Sequence, residues 1–233
     1  MSRKKAILDQ SKLDIIYIII NIFFAIILVP FYLNFISIEL YGFWLATSGV
    51  LILLEVFDLG INTLFIEKIS RFYSSKDYAN LLNYFYSGLF LFFLISIFIF
   101  LSGIFVSFFL NTYFKLGEFE YIIIKCFRIA LFTTSLKIIN SALINFGSSV
   151  LQPFKYSLIK IISTIISLFL VVILLKNNFG LLSLAYGYLI QQIISLISNA
   201  VISFFVISKI TNKFFGKVEK KIITYYIANS KYL

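Results

Sequence analysis

The stretch LEVFDLGINTLF, Leu54 to Phe65, places two carboxylates, Glu55 and Asp58, inside a long apolar run. Three residues apart, they share one face of a helix, and Asn62 continues that stripe four residues on. Carboxylates in such a setting can carry a proton or a cation. A second polar series follows in the apolar run between residues 121 and 150, with Lys125, Arg128, Lys137 and Asn140. Cations there can meet an anionic substrate or neutralise Glu55 and Asp58. Nine residues separate Arg128 from Lys137, which at about 100° per residue turns them to opposite sides of a helix. They share a narrow cavity only if the helix kinks or both faces are wet.

Each of these residues also has a plain structural reading. Lys125 and Lys160 can snorkel to the membrane interfaces. Arg128 can pair with Glu55 or Asp58 purely to neutralise charge. Asn21, Gln191 and Asn199 suit packing hydrogen bonds between helices. The chain has no His, the commonest general base and metal ligand. Its one Cys, Cys126, excludes an internal disulfide. No catalytic or metal-ligating set is assigned, no cofactor is expected, and the chain reads as a non-enzyme.

The elements that hold these groups are apolar helices. The 233 residues are 61% hydrophobic and 19% aromatic, with mean hydropathy +1.01. Soluble domains are roughly 45–50% apolar, so one soluble core of this size cannot hide the excess. Runs such as LFLFFLISIFIFL lack the alternation of barrel strands. A helix needs about 20 apolar residues to span hydrocarbon, and six runs qualify, at 13–36, 42–66, 84–110, 121–150, 154–175 and 180–207. The first is too long for a signal h-region and lacks a small-residue cleavage site. The fold class is therefore all-α, a polytopic bundle of six transmembrane helices over residues 1–208. A basic cytoplasmic tail follows at 209–233, either solvated or lying on the anionic inner leaflet.

Charge orients the bundle. With the N-terminus inside, 15 of the 20 Lys and Arg residues fall in inside segments, two in outside loops and three in the fourth span. That bias puts both termini in the cytoplasm, and it accounts for the net charge of +10 without a nucleic-acid partner. Pro30 is placed to kink or end the first helix.

Three features now combine: Pro30 in VPFYLNF, the LYGFW motif at Leu40–Trp44, and DLGI at Asp58–Ile61 followed by a basic loop. In these, and in helix order and loop length, the chain resembles the polysaccharide exporter family that includes the O-antigen flippases. That family lies within the multidrug/oligosaccharidyl-lipid/polysaccharide exporter superfamily. The resemblance implies a helical lobe beside a central cavity in the bacterial inner membrane. It implies movement of undecaprenyl-pyrophosphate-linked oligosaccharide for surface polysaccharide or lipopolysaccharide, with a proton or sodium gradient as driver in some members. Family members carry two lobes and this chain supplies one. A truncated or split N-terminal half is expected, paired with a second half or with another copy of itself.

The candidate pathway residues are thus Glu55, Asp58, Asn62, Arg128, Lys137 and Lys125. Two other classes stay open. A non-transporting membrane partner or inactive fragment would need none of these residues. A membrane glycan polymerase, ligase or transferase would need catalytic groups and a large outer loop. The longest outer loop, NTYFKLGEFE, has ten residues.

Overall fold

The computed structural model describes residues 3–55, 60–211 and 215–229, with the side chains of residues 3–11, 14, 25, 54 and 55 left out. Every regular element among the described residues is helical. They are α1 (Arg3–Leu33), α2 (Ile38–Glu55), α3 (Ile61–Ser74), α4 (Tyr78–Ser107), α5 (Leu110–Phe114), α6 (Glu120–Ser149), α7 (Pro153–Lys176), α8 (Leu182–Ile210) and α9 (Lys220–Asn229).

Local sequence sets these boundaries. The Asp77 carboxylate accepts the Asn80 backbone N–H at 3.2 Å and caps α4. Pro153 opens α7, where its missing N–H costs nothing. Pro30 lies inside α1, and the helix stops three residues later at Leu33.

Among the described residues, four helices are long and apolar enough to cross a membrane: Ile15–Leu33, Tyr78–Ser107, Pro153–Lys176 and Leu182–Ile210. The run expected as one span over 42–66 forms two helices instead. Over the residues whose side chains are described, the apolar helix of α2 covers Ile38–Leu53. α3 begins after Gly60, whose φ of 77° is left-handed and interrupts helical propagation. α3 is amphipathic, burying Ile61, Leu64, Phe65 and Ile69 while Glu67 and Arg71 are exposed. The fourth expected span is a single 30-residue helix, α6, whose cations keep its hydropathy below that of the four.

α6 is the central element, packed against α8, α4, α3 and α2. α7 packs on α8 and carries α1 on its flank. Close approach depends on small residues. A Cβ on Gly147 would lie 2.2 Å from the Tyr156 ring, and one on Gly187 would lie 2.2 Å from Val171. Around α6 lie two apolar cores. One joins Phe65, Phe85, Phe92 and Phe146 to Tyr226 of α9. The other, at the opposite end, holds Ile99, Leu116, Phe127, Leu131 and Leu175. The outward faces stay apolar: Ile19, Phe23 and Ile26 of α1 are exposed. No water-soluble surface looks like this, and a bilayer accommodates it.

The C-terminal segment is docked rather than loose. The Lys217 N–H donates to Asn83 Oδ1 at 2.8 Å, and Asn83 Nδ2 donates to Glu219 Oε1 at 2.8 Å. The Glu219 N–H donates to Ser87 Oγ at 3.0 Å. Gly216 lies on the α4 backbone so closely that a Cβ would sit 2.4 Å from the Leu82 carbonyl carbon. α9 then buries Ile222 and Tyr226 against α3 and α4. Lys68 stands 4.9 Å over the Tyr225 ring and 3.3 Å from Glu67. Its hydrogen bond to Tyr225, and then Glu67, hold the ammonium above the ordinary lysine pKa.

Candidate functional site

α6 carries Lys137 about 25 Å from its first residue at 1.5 Å per residue. There the side chain borders three clefts. One, of about 220 Å³, is lined by Asn62, Phe92, Ile95, Ile99, Ile138 and Ser141 besides Lys137. A second, of about 390 Å³, includes Tyr32, Trp44, Ser48, Thr134 and Gln191. The third, of about 660 Å³, includes Tyr17, Asn21, Asn140, Tyr156, Lys160 and Gln192. The second and third also share Tyr188 and Gln191, so they adjoin at Lys137. Together they make a groove walled by α1, α2, α6, α7 and α8.

The groove wall is polar and mostly satisfied from within. Asn140 Nδ2 donates to Ser195 Oγ at 2.9 Å, and Asn199 Nδ2 donates to Asn140 Oδ1 at 2.9 Å. Gln191 Nε2 donates to Thr164 Oγ1 at 2.8 Å. The Tyr156 and Ser203 hydroxyls are 2.9 Å apart. Asn145 Nδ2 donates to Asn62 Oδ1, tying α6 to α3. Asn199 and Gln191 thus make the interhelical bonds that their polarity suggested, whereas Asn21 donates to the Tyr17 carbonyl of its own helix. Lys160 lies 3.8 Å above the Tyr17 ring. Two oxygens that border the groove, Thr134 Oγ1 and Gln192 Oε1, are buried with no hydrogen-bond partner among the described residues. They are placed to bond water or a polar ligand.

Asn140 is the hub of the α6–α8 contact. Replacing it by Leu leaves the buried Asn199 amide and Ser195 hydroxyl without their shared partner. The expected loss is about 1–2 kcal/mol, the upper range for an interhelical bond in a membrane. Unfolding in mixed micelles reads this directly, and an unchanged midpoint would show that the network contributes nothing.

Lys125 and Arg128 are elsewhere. They line an open cleft of about 880 Å³ with Glu118, Glu120 and Tyr121 on its polar side. None of its lining residues borders the Lys137 groove. The half-turn offset over nine residues is the reason, since α6 runs unbroken from one to the other. Arg128 Nε donates to Ser107 Oγ at 3.2 Å, and its guanidinium lies 5.5 Å over the Phe108 ring. Lys125 lies 5.9 Å from the Tyr121 ring. Of the six candidate residues, the structure therefore brings Asn62 to Lys137 and separates both from Lys125 and Arg128. The Glu55 side chain and Asp58 lie outside the described residues. Tyr17, Tyr188 and Ser195 join the groove without having been singled out, and Thr164 holds its Gln191. Their signal was weak, because hydroxyls scattered on apolar helices look alike until their partners are known.

No family model, curated protein or solved structure matches this chain. Chemistry must therefore speak from the groove itself. Two ammonium groups, several hydroxyls and amides, and aromatic side chains along the walls suit an anionic, hydroxylated ligand. Among the described residues no cluster of three or more His, Cys, Asp or Glu side chains could hold a metal ion.

Proposed function

We propose that this chain is a flippase-like transporter lobe in the bacterial inner membrane. It would move a lipid-linked oligosaccharide precursor of surface polysaccharide between leaflets. The observation that carries this reading is the groove at Lys137, which gathers amides, hydroxyls and two ammonium groups within a bundle whose outside is apolar. Phosphate oxygens suit Lys137 and Lys160. Sugar hydroxyls suit the Gln191, Gln192, Thr134 and Tyr188 side. The lipid portion stays in hydrocarbon beside α1.

In this reading six segments cross the membrane, with α2 and α6 joining the four apolar helices. Both termini lie in the cytoplasm, as the Lys and Arg distribution favours. Glu55 and Asp58 would take the coupling proton or sodium ion. A second half or a second copy would close the open side of the groove, since lobes of parallel orientation are an established transporter plan.

Expression in a strain lacking its lipid-linked oligosaccharide flippase tests the reading. Restored surface glycan, by this chain alone or with a second half supplied in trans, supports it. No glycan in either arm, from protein that is stably membrane-inserted, rejects it and favours a non-transporting membrane partner. Transfer of radiolabelled sugar without translocation would mark a transferase instead.

A further inference from the structure

The cleft holding Lys125 and Arg128 has a layout unlike the Lys137 groove. Charges of both signs crowd one end: Glu118 and Glu120 with Lys125 and Arg128. Among the described residues, no ion pair joins these four side chains. Arg128 is steadied by Ser107 and Phe108 rather than by a carboxylate. Four charged groups of balanced sign are thus held around one opening without neutralising each other directly.

Below that rim the cleft is apolar. Phe100 and Ile104 of α4, Ile129 and Phe132 of α6, and Leu189 of α8 form its walls. From Lys125 at the rim to Phe132 the wall runs about 10 Å at 1.5 Å per residue. Half of a hydrocarbon core of roughly 30 Å is about 15 Å, so the wall lies within one leaflet and covers the upper part of an acyl chain. α4 and α8, which flank it, are both apolar enough to cross a membrane.

We propose that this cleft is a lateral binding site for one zwitterionic phospholipid bearing a primary amine, the phosphatidylethanolamine class. The phosphate would meet Arg128 and Lys125, the ammonium would meet Glu118 and Glu120, and an acyl chain would lie along Phe100, Ile104 and Phe132. A rim of zero net charge complements a neutral zwitterion better than an anionic lipid. This assignment rests on membrane embedding alone and stands whether or not the chain transports anything.

The test is native mass spectrometry of the purified full chain, titrated with dioleoylphosphatidylethanolamine, dioleoylphosphatidylglycerol or soluble glycerophosphoethanolamine. The ethanolamine lipid is expected to bind about tenfold more tightly than the glycerol lipid, and Arg128→Gln or Glu120→Gln should each erase most of that preference, the effect of one charge-assisted bond. Glycerophosphoethanolamine should not compete, because it lacks the chain that the apolar wall holds. Equal affinity for both lipids, or full preference in the variants, overturns the proposal. So does competition by the soluble headgroup at matched concentration, which would mark a site for a free phosphate ester. Glu118 lies on an exposed turn, so Glu118→Gln keeps the test open if Arg128→Gln fails to fold.

Discussion

Lys137→Ala is expected to cut glycan translocation by at least about tenfold while leaving folded protein in the membrane; a hydrogen bond to a charged group contributes about 1.5–3 kcal/mol. Lys137 borders both clefts of the groove and the smaller cleft beside Asn62, so its ammonium stands where the three meet. Lys137→Arg keeps the charge and should retain part of the activity. Lys160→Ala should weaken transport less, because Lys160 borders only one of the three clefts and rests against Tyr17. Surface glycan in the complemented strain, normalised to membrane protein, is the readout. Wild-type transport by Lys137→Ala would remove the groove from the mechanism. Arg128→Ala serves as the contrast. It empties a separate cleft and should alter lipid preference more than transport.

Tyr226→Ala should release the C-terminal helix. Tyr226 is 0% exposed and lies 6.3 Å from the Phe65 ring and 6.0 Å from the Tyr84 ring. Removing a large buried aromatic costs about 3–5 kcal/mol. That loss falls on a ten-residue helix held mainly by α3 and α4, so it should appear as local opening. Hydrogen exchange over residues 215–229 should rise strongly while α6 and α8 stay protected. Tyr226→Phe should cost under about 1 kcal/mol, since among the described residues the hydroxyl reaches only the Tyr84 carbonyl, at 3.4 Å. Protection at 215–229 that survives Tyr226→Ala would refute the docking. Burial also pushes the Tyr226 phenol well above its ordinary 10.0. An acid whose folded-state pKa is raised stabilises the fold below its unfolded pKa, and that contribution fades as pH climbs beyond it. α9 should therefore loosen in alkali above pH 10, and the Tyr226→Phe protein should not share that change.

The helical class and the apolar exterior were legible from composition, because no soluble core accommodates 61% hydrophobic residues in this length. The opposition of Arg128 and Lys137 followed from helix geometry alone. The break at Gly60 was not legible as a break, since LEVFDLGINTLF keeps its apolar density straight through it. The docking of α9 was hidden by its lysines, which fit a solvated tail equally well. Its Ile222–Tyr226 spacing of four was the clue to a buried stripe. Asn140 and Asn199 were each visible as polar residues in apolar helices, yet their pairing spans 59 residues and depends on how α6 meets α8.

The docking of α9 also sets an order of events during synthesis. Phe65 and Ile69 of α3 and Phe85 of α4 belong to the core that Tyr226 completes. More than 130 residues of chain separate Phe85 from Tyr226. While the ribosome makes them, the α3–α4 pair has an open aromatic face. Insertion of the hydrophobic helices therefore precedes closure of the core they flank. A nascent chain stalled before residue 226 would present that face to chaperones and membrane proteases until α9 arrives to cover it.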